Sequence, residues 1–148
     1  MKSQTLSVLF ATMLLMMAAC TPPEEKRLIE LIKDGNSELA IEMINNGADV
    51  NARDSIQRTP LHAAARQNKI EVMELLISKG ADLEARVVGT QVTPLFDAVM
   101  GGSKEAVQLL LDKGANVNAK TPAGETAAAY ATDPAIAELL GKTVDEVD

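Results

Sequence analysis

Few residues in this sequence could take part in chemistry. His62 is the only histidine and Cys20 the only cysteine among 148 residues, so a metal site or an acid–base pair would have to be built around His62. Zinc sites in proteins use several His, Cys or carboxylate ligands, and a phosphate loop needs a glycine-rich run that this sequence lacks. We therefore predict no catalytic residue, no metal and no cofactor.

Charge and aromatic content argue against a nucleic-acid ligand. The chain has 21 acidic and 14 basic residues, a formal net charge of −7, and only two Phe and one Tyr. Negative charge repels a phosphate backbone, and so few rings cannot stack on successive bases. We therefore expect no binding of nucleic acid.

The N-terminal segment, residues 1–19, reads as a secretory signal. It begins with Lys2, continues as the apolar run LSVLFATMLLMMAA and ends in small residues before Cys20. The run is shorter than the roughly 18 to 20 apolar residues that a membrane-spanning helix needs. The alternative reading of Cys20 is a buried core cysteine in an ordinary helix.

The residues around the predicted cleavage point, Met-Ala-Ala-Cys at 17–20, resemble the bacterial lipobox, although Met17 stands where leucine is usual. The resemblance implies that Cys20 carries a diacylglycerol and fatty acids such as palmitate, which together anchor a protein stably to a membrane. Residues 20–25 would form the lipidated cysteine and a tether. Thr21 resembles the outer-membrane sorting pattern of Gram-negative lipoproteins, so we expect the bacterial cell envelope, on the periplasmic side of the outer membrane.

An internal repeat organises the rest of the chain. Gly-Ala-Asp or Gly-Ala-Asn triplets begin at Gly47, Gly80 and Gly114, about 33 and 34 residues apart. A second set of markers has spacings of about 34 and 33 residues: Thr59, Thr93 and Thr126. One extra residue therefore lies between the second triplet and the second threonine marker, within ADLEARVVGTQVTP.

Each unit also carries an apolar stripe with the i, i+1, i+4, i+5 spacing of one helix face. In register along the chain, the three stripes are Leu39, Ala40, Met43 and Ile44; Val72, Met73, Leu76 and Ile77; and Ala106, Val107, Leu110 and Leu111.

The second unit matches a T-P-L-H-x-A signature in full through Thr59, Pro60, Leu61, His62 and Ala64, and the period agrees with that signature. In both respects the unit resembles the ankyrin repeat. The resemblance implies an all-α solenoid of about four helix-turn-helix units with short β-hairpin-like loops. The units would cover residues 26–53, 54–86, 87–120 and 121–142, with an acidic tail at 143–148.

The resemblance also implies structural roles for the signature residues. In the family, this histidine bonds toward its own threonine and the neighbouring turn, so we expect His62 to join adjacent units and to share a structural role with Thr59, Thr93 and Thr126. Asp97 replaces a small or aliphatic residue. It is expected to pair with Arg66 one unit back, or alternatively with a cation of a partner.

Ankyrin arrays bind protein partners through the loop tips and first helices of the concave side, which maps the contact surface by position. Ile56, Val92 and Met100 would be exposed apolar anchors beside Arg58 and Arg66. On this reading, the combination Ile56→Asp with Arg66→Glu abolishes binding and leaves the thermal midpoint almost unchanged. The full predicted surface is Ser55, Ile56, Arg58, Arg66, Gln67, Thr90, Gln91, Val92, Met100, Pro122, Ala123 and Glu125.

These expectations favour a non-catalytic, monomeric, membrane-anchored protein that binds another protein in the bacterial envelope. Two roles stay open: an accessory to an envelope enzyme such as catalase, and an immunity protein that inhibits a toxin. The alternatives are an enzyme or a haem, metal or small-molecule handler that uses His62, Met73 or Met100, and a purely structural tether.

Overall fold

A computed structural model describes residues 24–145, and the side chains of residues 26–141. The predicted signal segment, Cys20 and the last three residues of the acidic tail lie outside this range.

Residues 24–145 contain seven α-helices and one 3-10 helix, joined by turns and loops. No β-strand occurs in this range, which confirms the all-α prediction. The helices come in short antiparallel pairs. The first helix of two of these pairs starts at a proline, Pro60 or Pro94, because proline at the first helical position already has a suitable φ angle and lacks only an N–H that would have no partner within the helix. The helices are α1 Glu24–Lys33, α2 Ser37–Asn45, α3 Pro60–Arg66, α4 Ile70–Ser78, α5 Pro94–Met100, α6 Lys104–Asp112, the 3-10 helix Ala127–Tyr130 and α7 Pro134–Asp145.

The helix pairs stack into two layers. In the inner layer α1 packs on α3, α3 on α5, and α5 on the 3-10 helix, while in the outer layer α2, α4, α6 and α7 follow one another. The resulting array has four units, as the period of the sequence predicts.

The two central inner helices, α3 and α5, are buried on nearly every side. All residues from Pro60 to Ala65 in α3 and from Pro94 to Val99 in α5 are buried, and the small side chains of Ala63, Ala64 and Ala65 let neighbouring helices approach closely. Burying each of these apolar groups contributes about 0.8 kcal/mol per methylene. The inner layer therefore positions any side chain that projects from it with little freedom.

The outer helices bury only a stripe, as predicted for Val72, Met73 and Leu76 in α4 and their counterparts in α6. The prediction is wrong for Leu39, which is 50% exposed. Outer helices α4 and α6 each have a preceding outer helix to pack against, whereas within the described residues α2 has none.

Three turns project at the edge of the stack. The first tip, residues 54–58, is closed by the backbone N–H of Asp54 donating to the carbonyl of Arg58 at 3.0 Å. The second tip, residues 87–92, has the same bond from Val87 to Val92 at 3.0 Å, and the third tip, residues 121–125, has it at 2.9 Å. The second tip is one residue longer than the others, so the extra residue of the sequence lies in this loop, as predicted.

Two unit boundaries differ from the predicted ones. Helix α1 begins at Glu24, inside the predicted tether, and α7 continues to Asp145, inside the predicted tail. Acidic residues are favoured near a helix N-terminus by the positive end of the helix dipole, so the Glu-Glu pair is compatible with this early start. Between residues 24 and 145, no helix combines the length and apolar composition that crossing a bilayer requires.

Candidate functional site

The threonine markers are the residues at which the inner helices begin. Thr59, Thr93 and Thr126 are the N-cap residues of α3, α5 and the 3-10 helix, each with extended backbone geometry. Thr59 and Thr93 are 1% exposed. A fixed start for each inner helix also fixes the loop tip that immediately precedes it.

His62 connects the second unit to the third. The backbone N–H of Thr59 donates to His62 Nδ1 at 3.2 Å, and Thr59 Oγ1 lies 2.9 Å from the same nitrogen. Nδ1 must then be unprotonated, so Nε2 carries the proton and donates to the carbonyl oxygen of Val92 at 3.1 Å. Burial lowers the pKa of His62 below its usual 6.5, and the bond to the Val92 carbonyl opposes this without reversing it.

Both ring nitrogens of His62 are therefore engaged within the protein, and its side chain is completely buried. Met73 is also completely buried, in the core. Among residues 24–145, no group of three or more His, Cys, Asp or Glu side chains comes together in a way that could hold a metal ion. No contact of these residues favours the haem or metal alternative.

A buried carboxylate holds two arginines of the preceding unit. Asp97 is 0% exposed, and its Oδ1 lies 3.0 Å from Arg66 Nη1 and 3.5 Å from Arg58 Nη2. Asp97 thus pairs within the chain, with Arg66 as the first of the two readings expects. Arg66→Glu would remove the 3.0 Å pair and place a second carboxylate beside a buried one, so the structure predicts a lower thermal midpoint for that substitution.

One groove collects most of the predicted contact surface. It encloses about 660 Å³ between the first and second tips and the ends of α3 and α5. Ile56 is 53% exposed and Met100 36% exposed. The lining residues that the sequence predicts are Ser55, Ile56, Arg58, Arg66, Thr90, Val92 and Met100.

Val92 lines the groove but is not an exposed anchor. Its side chain is partly buried and packs against the core. Its carbonyl accepts hydrogen bonds from His62 and from the backbone of Val87, which hold the end of the second tip against α3.

Five predicted residues lie outside the lining of this groove. Gln67 donates from Nε2 to the carbonyl of Lys33 at 2.8 Å and so joins the first two units. Glu125 accepts a hydrogen bond from the hydroxyl of Tyr130. The others are Gln91, at φ +57° in the second tip, and Pro122 and Ala123 in the third.

The sequence reading missed Val88, the most exposed of the large apolar residues in the described range at 71%. Val88 lines the groove together with Val87 and Gln57. The extra residue in the second tip was the available signal, because a lengthened loop projects further than its neighbours. Val88 therefore lies with Ile56 and Met100 on the exposed apolar rim of the groove.

Comparison with known proteins shows similarity over the repeats of this chain. Residues 14–87 match the family model described as ankyrin repeats in three copies, and residues 91–122 match the model described as an ankyrin repeat. An ankyrin repeat protein of fowlpox virus is 38% identical over 55 residues, which are 37% of this chain and 13% of that protein.

Two further relatives also match only part of the chain. Serine/threonine-protein kinase 12 of Arabidopsis thaliana is 40% identical over 60 residues, 40% of this chain and 13% of the kinase. Protein fem-1 homolog C of Homo sapiens is 51% identical over 43 residues, 29% of this chain and 7% of that protein. The chain thus spans 13% or less of these relatives, and the similarity concerns their repeats.

Proposed function

This chain belongs to the ankyrin-repeat family, and on that premise we propose that it is a non-catalytic module that binds another protein through the groove between its first two tips. Ankyrin repeats generally mediate contacts between proteins. The proposal adds three assignments to this general property: the binding groove, the bacterial cell envelope as the compartment, and the biological role.

The exposed apolar rim of the groove carries the proposal. Ile56, Val88 and Met100 are 53%, 71% and 36% exposed around about 660 Å³ of open space. Interface cores combine apolar side chains with arginine, and Arg66 lines the same groove with a side chain that is 46% exposed. Covering this rim with a partner would remove apolar surface from water at a gain of about 25 cal/mol per Å².

The groove also has the rigidity that a binding surface needs. His62 holds the carbonyl of Val92, and Asp97 holds the guanidinium groups of Arg58 and Arg66. Side chains that are already ordered lose less conformational entropy when a partner binds. The side chains of His62 and Asp97 thus fix the shape of this surface.

We place this module in the bacterial cell envelope, anchored through Cys20. The Met-Ala-Ala-Cys sequence after an apolar run supports lipid attachment. Helix α1 begins at Glu24, so the extended chain between the Cα atoms of Cys20 and Glu24 spans at most about 14 Å. The repeats would then lie close to the membrane, on the periplasmic side of the outer membrane.

Two biological roles fit such a protein: support of an envelope enzyme such as catalase, and inhibition of a toxin as an immunity protein. The genes that flank its own would discriminate between them. A catalase gene next to it supports the accessory role, and a toxin gene supports the immunity role.

Crosslinking and affinity capture from envelope extracts of the native cells test the contact surface. Val88→Asp and Ile56→Asp place a charge on the apolar rim, and each should abolish capture of the partner that the wild type retains. Leu39→Asp is the matched control, because Leu39 is also an apolar residue with 50% exposure but lies outside the groove. Equal capture by all four proteins would refute the surface.

Lipid attachment has its own test. Cys20→Ser should move the protein from the membrane fraction to the soluble fraction and remove the mass of the diacylglycerol and acyl groups from the mature chain. A wild-type protein without that added mass would exclude the anchor and leave the binding surface unaffected.

A further inference from the structure

Arginine is concentrated around the groove. Four of the five arginines of the chain lie on or beside the first two tips, in a protein whose net charge is −7. Arg53 Nη1 donates to the carbonyl oxygens of Gln57 and Arg86 at 3.1 Å each, which brings the bases of the two tips together. Arg58 and Arg66 line the groove itself.

The carboxylates in contact with these tips are already engaged. Asp97 is completely buried against Arg58 and Arg66. Asp54 pairs with Lys33 Nζ at 2.8 Å and accepts hydrogen bonds from the backbone of the first tip. Two arginines therefore share one buried carboxylate, and the groove keeps a net positive charge.

Arg66 can bind a second anion. Its guanidinium has five N–H donors, and Nη1 serves Asp97. The side chain remains 46% exposed and lines the groove. Because Asp97 already orients this guanidinium, pairing with a further carboxylate would cost less ordering entropy than pairing with a freely moving arginine.

The apolar rim lies in the same groove as this charge. Val88, Ile56 and Met100 need an apolar side chain to cover them. A wholly apolar segment would remove water from Arg66 without replacing its hydrogen bonds, which is costly, and a basic segment would be repelled. A segment with an acidic residue beside a large apolar residue satisfies both parts of the groove.

We propose that the groove recognises an internal peptide segment of its protein partner in which an Asp or Glu side chain lies next to a large apolar side chain. The carboxylate pairs with Arg66, in the planar two-point geometry that guanidinium groups favour. The apolar side chain lies against Val88, Ile56 and Met100. This inference rests on the proposed protein-binding function and adds the chemistry of the partner.

Peptide selection tests it. A display library of random nine-residue peptides, flanked on both sides by constant sequence, is selected on the full chain in nanodiscs of neutral lipid and counter-selected on the Val88→Asp variant. We expect the enriched peptides to carry Asp or Glu within two positions of Leu, Ile, Phe or Met. Changing that acid to its amide in a synthetic peptide should weaken binding about tenfold or more.

A matched pair of variants tests the charge without touching the buried pair. Thr90 is exposed on the second tip and lines the groove. Thr90→Glu should weaken binding of the enriched acidic peptide about three- to tenfold, and Thr90→Lys should maintain or strengthen it. Both effects should shrink at high salt.

The outcomes separate the two proposals. Enriched peptides that are excluded by Val88→Asp but lack an acid, or that carry Lys or Arg and weaken with Thr90→Lys, overturn the acidic-segment inference and leave the binding groove in place. If no peptide distinguishes the wild type from Val88→Asp, the acidic-segment inference falls, and capture of the native partner by the same two proteins decides whether the groove binds a protein.

Discussion

Arg66 Nη1 donates to Oδ1 of Asp97 at 3.0 Å, from the end of one inner helix to the next. The two residues differ in exposure, because the Asp97 side chain is 0% exposed and the Arg66 side chain is 46% exposed. Arg66 is therefore a structural residue as well as a surface one. Its substitution changes the stability of the stack, so tests of binding must use other positions.

This asymmetry predicts unequal effects of removing either partner. Arg66→Met should lower the free energy of unfolding by about 1–3 kcal/mol, because it leaves the buried Asp97 with only the longer contact to Arg58. Asp97→Leu should cost less, since both arginines can reach water. Urea unfolding of the two variants and of their combination gives the coupling energy. Equal losses in the two single variants would contradict this account.

Because α3 and α5 approach each other closely, we expect that any side chain at residue 101 lowers the stability of the protein. A Cβ atom at residue 101 would collide with the backbone carbonyl of Arg66, which cannot move away as a flexible side chain could. We expect Gly101→Ala to destabilise the protein by about 1–3 kcal/mol in urea unfolding.

Gly141→Ala is the control for that substitution. Gly141 lies within α7, and a Cβ there meets no atom within 4 Å. Alanine is a better helix former than glycine, so this variant should be more stable than the wild type by up to about 1 kcal/mol. If Gly101→Ala were as stable as Gly141→Ala, the collision at residue 101 would be relieved by movement of the helices.

The lowered pKa of His62 predicts that the stability of the protein depends on pH. Burial lowers its folded pKa below 6.5, so below that pH the unfolded chain binds a proton that the folded chain does not. Stability that is present above pH 6.5 is then lost as the pH falls toward the lowered folded pKa. Asp97, Arg58 and Arg53 also act on this ring through their charges.

The wild type is compared with the variant His62→Gln, whose side chain does not titrate. At pH 7.5 this variant should be less stable by about 1–3 kcal/mol, because buried hydrogen bonds to Thr59 and Val92 are lost or weakened. Between pH 7.5 and 5.5 its melting temperature should fall less than that of the wild type. Parallel pH profiles for the two proteins would show that His62 does not titrate differently on folding.

Two residues, Gln91 and Asn68, have left-handed backbone geometry, and substitution by glycine should change the stability of the protein in opposite directions at the two positions. Gln91 has φ +57° and Asn68 has φ +55°, a region that costs non-glycine residues about 1–2 kcal/mol. Gln91→Gly should therefore stabilise the protein by about 0.5–1 kcal/mol, after the greater freedom of glycine in the unfolded chain is subtracted.

Asn68→Gly should destabilise it instead. Asn68 Nδ2 donates to Glu105 Oε2 at 2.9 Å, and its Oδ1 accepts the backbone N–H of Ala106 at 3.1 Å, so the side chain joins two units. Thermal unfolding of the two variants under one condition measures the difference. A gain at Asn68 would show that these bonds contribute less than the backbone strain costs.

The repeat and its helices could be predicted because they depend on local and periodic features. Proline after threonine marks the start of α3 and α5, and the apolar stripes identify the buried face of α4 and α6. Leu39 and the start of α1 could not be predicted in the same way. Their surroundings depend on what packs beside the first unit, which no marker within the unit describes.

By itself, the sequence determined that this chain forms a stack of about four units, because each amphipathic helix pair needs a neighbour to cover its apolar face. The sequence also indicated that Asp97 pairs with Arg66 and that His62 joins the neighbouring unit, but only the tertiary structure decided that Arg58 shares Asp97 and that the partner of His62 is the carbonyl of Val92, 30 residues away. Such pairings, and the exposure of Val88, depend on distances between loops that spacing along the chain does not specify.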